Sequence, residues 1–283
     1  MRVQAPSIED VILRYDRRQI GRLRECIGTN FCGAAADFVV AHSGPVLIAT
    51  GFYIAHAEKP ETDGPPGAIA LARGFEALGR RVEFVTDAIC ADMLGRAAEG
   101  RPVHVVPINN DAAAKISARS ILAKSDPGLL VAIERCGPDA EGRFLQFDGT
   151  NITNFTGRLE SLFQDGVPSI GIVDGGNEIG IGGVADTVKQ LPGLPNSPCV
   201  VATDRIVLGT VANWGAYGLL AALSLKAGKR VVPTALEETN IRASVVAAGA
   251  IDGVSGEAIG AVDGYPSELN SLVIERLHRL IDR

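Results

Sequence analysis

The feature that most constrains the fold of this chain is the repeated alternation of short apolar runs with amphipathic stretches. Short apolar runs bounded by turn residues are typical of buried strands. The runs that we predict to be strands are 45–50, 81–86, 103–108, 129–133, 169–173 and 199–202. Nearly continuous apolar strands that alternate with helices indicate a parallel sheet covered on both faces. We therefore predict an α/β fold, a three-layer sandwich with a mostly parallel central sheet, helices on both faces and Rossmann-like strand–helix alternation.

The stretches between these strands carry the periodicity of helices. In the first of them Ile69, Ala72 and Phe75 lie at helical spacing, and Gly79 stands where helices commonly end. The predicted helices cover 65–78, 88–98, 111–123, 158–164, 234–249 and 267–281, and 143–154 is predicted to be a hairpin or an edge strand. Neither a linker nor a change in composition divides the chain. We predict a single domain over 1–283, with a helical lead-in over 1–44.

One uncharged stretch, 206–225, is long enough to span a membrane. It contains Asn213 and three glycines, and no second stretch of this kind accompanies it. We predict a short strand followed by a buried helix here, and no membrane partner.

The balance of charge argues against nucleic-acid binding. The net charge is −6 and the isoelectric point is about 5.3, whereas binding to a phosphate backbone needs a basic face. The five cysteines are odd in number and include no Cys-x-x-Cys pair, so we expect a reducing compartment and neither a disulfide framework nor a zinc knuckle. The N-terminal residues lack the apolar core of a secretory signal, which favours the cytoplasm.

Acidic residues follow four of the predicted strands. The carboxyl ends of parallel strands meet at one edge of a sheet, and ligands bind there in open α/β folds. The acidic residues at these ends are Glu61, Asp63, Asp87, Glu134, Asp174 and Glu178. Each has a plain structural interpretation, because Asp63 and Asp87 could cap helices and Glu134 could pair with Arg135. Together, however, they would repel one another unless a cation compensated them.

A hard divalent metal is the compensation that this residue set favours. Oxygen ligands suit Mg²⁺ or Mn²⁺, with Ca²⁺ as an alternative, whereas zinc prefers histidine and cysteine. The chain has four histidines, without the spacing of a zinc site. The glycine-rich loop around Gly180, Gly182 and Gly183 could cradle a phosphate, but it has neither the ending of a P-loop nor the spacing of a dinucleotide fold.

Several ordered motifs resemble those of the D-glutamate cyclase family. They are ETDGPPGA at 61–68, VTD at 85–87, IER at 133–135, DGGNEIGIG at 174–182 and NWGAY at 213–217, and the similarity extends from about residue 45 to the turn at 262–264. In the animal proteins this region is the C-terminal part of a longer chain. The sequence departs from the family at Cys136, where the family has proline, and at Ile181, where it has methionine.

The resemblance implies a carbon–oxygen hydro-lyase of amino-acid metabolism, which converts D-glutamate to 5-oxo-D-proline with loss of water. On this hypothesis Glu61, Asp63, Asp174 and Glu178 hold the metal, and Asp87 and Glu134 are the acid and base. The residues expected to bind the acidic amino acid are Thr50, Gly51, Arg135, Asn177, Asn213 and Trp214, although Trp214 and its neighbours could equally belong to the core.

Two other functions remain open from the sequence. The same carboxylates would suit a metal-dependent phosphohydrolase that acts on a small phosphorylated metabolite, or a non-catalytic module that binds a small molecule. Few lysines or arginines lie near the motifs to hold a phosphate, which argues against the first of these. The sequence is compatible with a homo-oligomer and does not specify one.

Overall fold

Six of the apolar runs form one parallel sheet at the centre of the molecule. A computed structural model describes residues 6–108 and 111–282. The strands are β1 Val46–Thr50, β2 Val82–Asp87, β3 Val103–Val106, β4 Leu129–Ile133, β5 Ser169–Val173 and β6 Arg205–Leu208. All neighbouring strands are parallel, in the order β3-β2-β1-β4-β5-β6. The predicted α/β fold is confirmed.

This strand order determines where a ligand can bind. Successive strands first extend the sheet from β1 towards β3, and the chain then returns to add β4 on the other side of β1. The connections that leave β1 and β4 therefore diverge, and a crevice opens at their carboxyl ends. A short antiparallel ribbon, Tyr53–Ile54 with Lys59–Pro60, lies in the connection that follows β1.

Helices cover the sheet on both faces, as the sequence predicts. They are α1 Ile8–Ile12, α2 Arg24–Ile27, α3 Phe31–Ala41, α4 Pro65–Ala77, α5 Ala91–Ala97, α6 Asp111–Ser125, α7 Ala185–Gln190, α8 Ala212–Ala227, α9 Ala235–Ala247 and α10 Ser267–Ile281. Side chains alternate along each strand. Ile48 and Val131 therefore join the larger core with α3, α4 and α8, while Leu47 and Leu130 pack on the opposite face with α6 and the 3₁₀ helix Leu159–Gln164.

Local sequence explains several of the helix ends. Pro65 occupies the first turn of α4, where its missing N–H costs nothing. Ser7 and Thr234 begin α1 and α9 with reciprocal capping boxes. The helical lead-in contains α1, α2 and α3, and residues of α1 and α3 belong to the same core as α8.

One predicted strand is wrong. The apolar segment 199–202 is extended but lies outside the sheet, and the sixth strand is Arg205–Leu208. The glycine-rich loop after β5 takes up the hydrogen bonds of this segment, because Val201 accepts from the N–H groups of Gly180 and Gly182. Short apolar runs cannot be assigned to a layer by periodicity alone. The helix predicted over 158–164 is a 3₁₀ helix.

The uncharged stretch forms β6 and the buried helix α8. In the described part of the chain, none of the helices combines the length and apolarity that crossing a membrane requires.

Replacement of Leu130 by alanine tests whether the second face of the sheet is a packed core. Leu130 is buried between β4 and its covering helices, so Leu130→Ala should lower the free energy of unfolding by about 2–5 kcal/mol. Leu225→Ala is the matched control, because Leu225 is 55% exposed on α8, and it should change the same quantity by no more than about 0.5 kcal/mol. Urea denaturation measures both, and equal effects would contradict the two-faced packing.

Candidate functional site

A cleft of about 350 Å³ lies at the carboxyl ends of the central strands. Glu134 directly follows β4 and Asp174 directly follows β5, and both side chains reach this space. The other lining residues come from connecting loops: Arg18, Phe52, Ile54, His56, Glu61, Gln146, Phe147, Asp148, Asn177, Gly253, Val254 and Asp263. The volume suits a small metabolite. The cleft lies beside the crevice that the strand order creates between β1 and β4.

Acidic side chains converge in this cleft from distant parts of the sequence. Carboxylate oxygens of Asp63, Asp174 and Asp263 lie within 4.8 Å of one another, and so do those of Glu134, Asp174 and Glu178. Asp174 belongs to both groups. The sequence predicted four of these five residues as cation-compensated acids or as metal ligands, but it did not single out Asp263, although the Asp263–Gly264 turn closes the stretch that resembles the family.

Arg18 is the arginine that faces this acidic cluster, and no other arginine or lysine is among the described residues that line the cleft. Its Nη1 atom lies 2.6 Å from Oδ1 of Asp174 and 2.7 Å from Oδ2 of Asp263. The guanidinium also lies over the Phe147 ring, 4.7 Å from its centroid. Sequence reasoning missed Arg18, because nothing local distinguishes it from the other basic residues of the N-terminal region.

Burial and mutual repulsion raise the pKa values of the carboxyl groups in the cluster. For Glu61, Glu134 and Asp174 the loss of hydration has the largest effect, and neighbouring carboxylates raise the pKa further. The pKa of Asp63 rises to about 7 for the same reasons, although hydrogen bonds from Asn213 and Ala212 oppose the rise. Without a further cation, these groups therefore tend to keep protons well above the pH at which an exposed carboxyl loses them.

Glu134 and Asp174 carry carboxylate oxygens that are buried without hydrogen-bond donors. Oε2 of Glu134 and Oδ2 of Asp174 accept no hydrogen bond from the described residues, whereas Oδ1 of Asp174 has its ion pair with Arg18. Glu134 also has a backbone φ of 43°, in the left-handed region that residues other than glycine rarely adopt. Such strain concentrates at functional sites, where the surrounding structure maintains it.

Asp63 and Asn213 connect two helix starts by reciprocal hydrogen bonds. The Asp63 carboxylate accepts bonds from the N–H groups of Ala212 and Asn213, both at 2.9 Å, at the start of α8. In return, Oδ1 of Asn213 accepts from Gly64 and Gly67 at the start of α4, and its Nδ2 donates to the Thr62 carbonyl. Asp63 therefore caps a distant helix, and the polar atoms of the Asn213 side chain are all engaged.

The structure places Asp87 and Arg135 away from the acidic cluster. Their side chains form a buried ion pair at 2.7 Å, and Arg135 also donates to the carbonyls of Gly51 and Gly157. Asp87 accepts from three backbone N–H groups, including that of Cys90. Neither residue lines the cleft, so this geometry favours a structural ion pair over a catalytic Asp87 and a substrate-binding Arg135. The partner of Arg135 is Asp87 and not Glu134, the partner that the sequence suggested.

The other predicted site residues divide between the cleft and its support. Asn177 lines the cleft. Glu178 folds back on its own loop and accepts 2.7 Å hydrogen bonds from Gly175 and Gly176. Trp214 is fully buried and donates to Asn270 on α10, which matches the core alternative.

Thr50 and Gly51 are buried at the end of β1 without lining the cleft. A side chain on Gly51 would meet Cys90 and Thr86 at 2.8 Å, and its φ of 106° disfavours other residues. Both residues therefore belong to the packed support behind the site.

Comparisons with known proteins relate the chain to one family by sequence. The profile of a family described as D-glutamate cyclase-like, C-terminal, matches residues 11–278. The human protein named D-glutamate cyclase, mitochondrial, is 29% identical over an alignment of 290 positions, which covers 87% of this chain and 47% of the human protein. The chain thus spans about half the length of this curated relative.

Among solved structures, an exopolyphosphatase-related protein from Bacteroides fragilis matches 89% of this chain and 57% of its own, at 8% identity and a TM-score of 0.43. Similarity at this level supports no statement about fold or function.

Replacement of Asn213 by alanine separates a structural role from a substrate-binding role. Asn213→Ala removes the partners of Gly67 N–H and the Thr62 carbonyl at a buried site, so the free energy of unfolding should fall by about 2–4 kcal/mol. Asn196→Ala, on an exposed loop, is the control and should have little effect in urea denaturation. A fully stable Asn213→Ala protein would contradict the reciprocal capping.

The raised pKa values predict that the metal-free protein loses stability as pH rises. A carboxyl such as Asp63, with a pKa of 3.8 when exposed and about 7 when folded, stabilises the folded chain least once the pH exceeds the folded pKa. With a chelator present, the midpoint temperature of thermal unfolding should therefore decrease as the pH is raised from about 5 to about 8. Glu134→Gln removes one of the repelling charges and should show a smaller fall. A wild-type midpoint that is constant or rises over this interval would exclude the effect.

Proposed function

The chain belongs to the D-glutamate cyclase-like, C-terminal family, and from this premise we propose that it is a metal-dependent lyase that converts D-glutamate to 5-oxo-D-proline and water. One observation carries the proposal: Oε2 of Glu134 and Oδ2 of Asp174 are buried without hydrogen-bond donors among the described residues, and both side chains line a cleft of metabolite size. Such oxygens are costly to bury unless a ligand completes their coordination.

The electrostatics of the cleft favour a bound metal ion in the proposed reaction. D-glutamate carries an overall negative charge, and a cluster of carboxylates that faces one guanidinium would repel it. Oxygens are the ligands that Mg²⁺ and Mn²⁺ prefer. A bound divalent cation would offset the repulsion, neutralise the γ-carboxylate of the substrate and polarise its C–O bond.

The group formed by Glu134, Asp174 and Glu178 fits this cation best. Its oxygens lie within 4.8 Å of one another, and those of Glu134 and Asp174 include the ones that lack donors. Asp63, which the sequence suggested as a ligand, accepts from the start of α8, as Glu178 accepts from its own loop. The Asp63 group is the less favourable one because its other two members, Asp174 and Asp263, both contact Arg18. Glu61 belongs to neither of the two groups.

The reaction requires protons to move between two ends of one substrate. The α-amine attacks the γ-carboxyl carbon, so that a C–N bond forms and a C–O bond breaks. Two protons of the α-ammonium group end on the departing oxygen, which leaves as water. A group that moves these protons should hold a proton near neutral pH and face the substrate.

Glu61 meets both requirements. It lines the cleft, and burial together with Asp263 and Asp63 raises its pKa well above that of an exposed glutamate. We therefore assign proton transfer to Glu61 and metal binding to Glu134, the reverse of the roles that the sequence suggested. Phe52, Ile54 and Val254 provide apolar walls for the methylene groups of the substrate and limit the access of water.

Incubation with D-glutamate and Mn²⁺ or Mg²⁺ tests the proposed function directly. Mass spectrometry should detect a product lighter by one water, which a chelator abolishes and which L-glutamate yields more slowly. Glu61→Gln and Glu134→Gln should each lower turnover by about 100-fold or more. Glu275→Gln, on the exposed surface of α10, is the matched control and should retain full activity.

The same experiment discriminates the alternative functions. Absence of product with either metal would contradict the cyclase. Release of inorganic phosphate from phosphorylated metabolites would support a phosphohydrolase instead, and tight ligand binding without turnover would support a non-catalytic module.

A further inference from the structure

Arg18 contacts two of the three carboxylates that could ligate a second cation. Its Nη1 atom lies 2.6 Å from Asp174 and 2.7 Å from Asp263, and these two residues form one carboxylate group with Asp63. In the described part of the chain, no ion pair reaches Glu134 or Glu178 of the other group. Arg18 therefore supplies positive charge at Asp174 and Asp263, whereas Glu134 and Glu178 have no ion-pair partner of their own among the described residues.

Contacts on both sides of the arginine fix this position. Arg18 lies over the ring of Phe147, and the neighbouring Arg17 lies over the ring of Tyr265, 4.3 Å from its centroid. The hydroxyl of Tyr265 donates to the Tyr15 carbonyl at 2.6 Å. Residues 15–18 are thus tied to the loop that carries Asp263, and the guanidinium is placed by its backbone as well as by its charge.

We propose that Arg18 replaces a second divalent ion, so that the cleft binds one exchangeable cation, at Glu134, Asp174 and Glu178, and not two. The inference rests on the metal binding in the proposed function and specifies its stoichiometry. A divalent ion cannot join Arg18 on the Asp174–Asp263 side, because it would need carboxylates that Nη1 already contacts and would be repelled by the guanidinium. An arginine side chain keeps its charge in proteins, so this repulsion persists.

A fixed guanidinium also determines what this side of the cleft can bind. Arg18 remains 24% exposed, so part of its guanidinium faces the cleft beside the acidic groups. The guanidinium presents a planar fork of N–H donors that recognises carboxylates. Unlike a metal ion, it does not exchange with ions in solution and does not polarise the bonds of a substrate. The substrate class that this arrangement fits is a carboxylate with a second acidic group, one held by Arg18 and the other by the single ion.

Counting bound Mn²⁺ ions tests the inference without any activity measurement. After removal of metal with a chelator, equilibrium dialysis or calorimetry with Mn²⁺ should find one ion per chain in the wild type. Arg18→Met removes the charge at similar length and should bind two. Arg18→Lys keeps the charge, and Arg17→Met changes the neighbouring arginine instead, so both controls should bind one.

Asp263→Asn provides a second measurement in case Arg18→Met does not fold, as circular dichroism would reveal. Because Asp263 faces Arg18 and not the ion, this variant should keep the Mn²⁺ affinity of the wild type, whereas loss of a residue that supports the metal costs about 10-fold or more. Three results would overturn this inference and leave the proposed metal dependence intact. They are two ions in the wild type, one ion in folded Arg18→Met, or a loss of that size in Asp263→Asn. No ion in any of the proteins would overturn the proposed metal dependence with it.

Discussion

The repulsion among buried carboxylates at one edge of the sheet is the constraint on which the rest of this structure depends. Charges of one sign are costly to bring together in a site from which water is largely excluded. The chain meets this cost in different ways at different residues. Asp63 accepts N–H groups at the start of α8, Glu178 accepts N–H groups of its own glycine-rich loop, and Asp263 faces Arg18. Glu134 keeps an oxygen without a donor, and it is there that an external cation is most needed.

The parallel sheet makes this gathering of acids possible. Strands that run in one direction bring their carboxyl ends to one edge, and the order β3-β2-β1-β4-β5-β6 opens a crevice beside β1 and β4. The start of α8 lies next to the cleft, so its free N–H groups and its dipole favour the negative charge of Asp63. The reciprocal bonds between Asp63 and Asn213 hold α4 and α8 together behind the site. The support is therefore built from polar contacts as well as from apolar packing.

Much of the fold could be read from local pattern. The runs at 129–133 and 169–173 match β4 and β5, and 267–281 matches α10, because apolar periodicity reports directly which residues are buried. The segment 199–202 was wrongly predicted to be a strand, because a short apolar run can pack over a loop as readily as it can join a sheet. The site was harder to predict. Glu134 and Asp174 could be found because each follows a strand, but Arg18 lies in a loop whose sequence carries no signal of its distant partners.

The sequence by itself determined the fold class, the edge at which acids gather and the family to which the chain belongs. It could do so because these properties depend on periodicity, on strand ends and on ordered motifs, all of which are local. Only the tertiary structure decided which charges meet. It paired Arg135 with Asp87 behind the site and brought Arg18 and Asp263 to Asp174. The strength of an ionic contact depends on distance and on exclusion of water, and neither can be read from positions far apart along a chain.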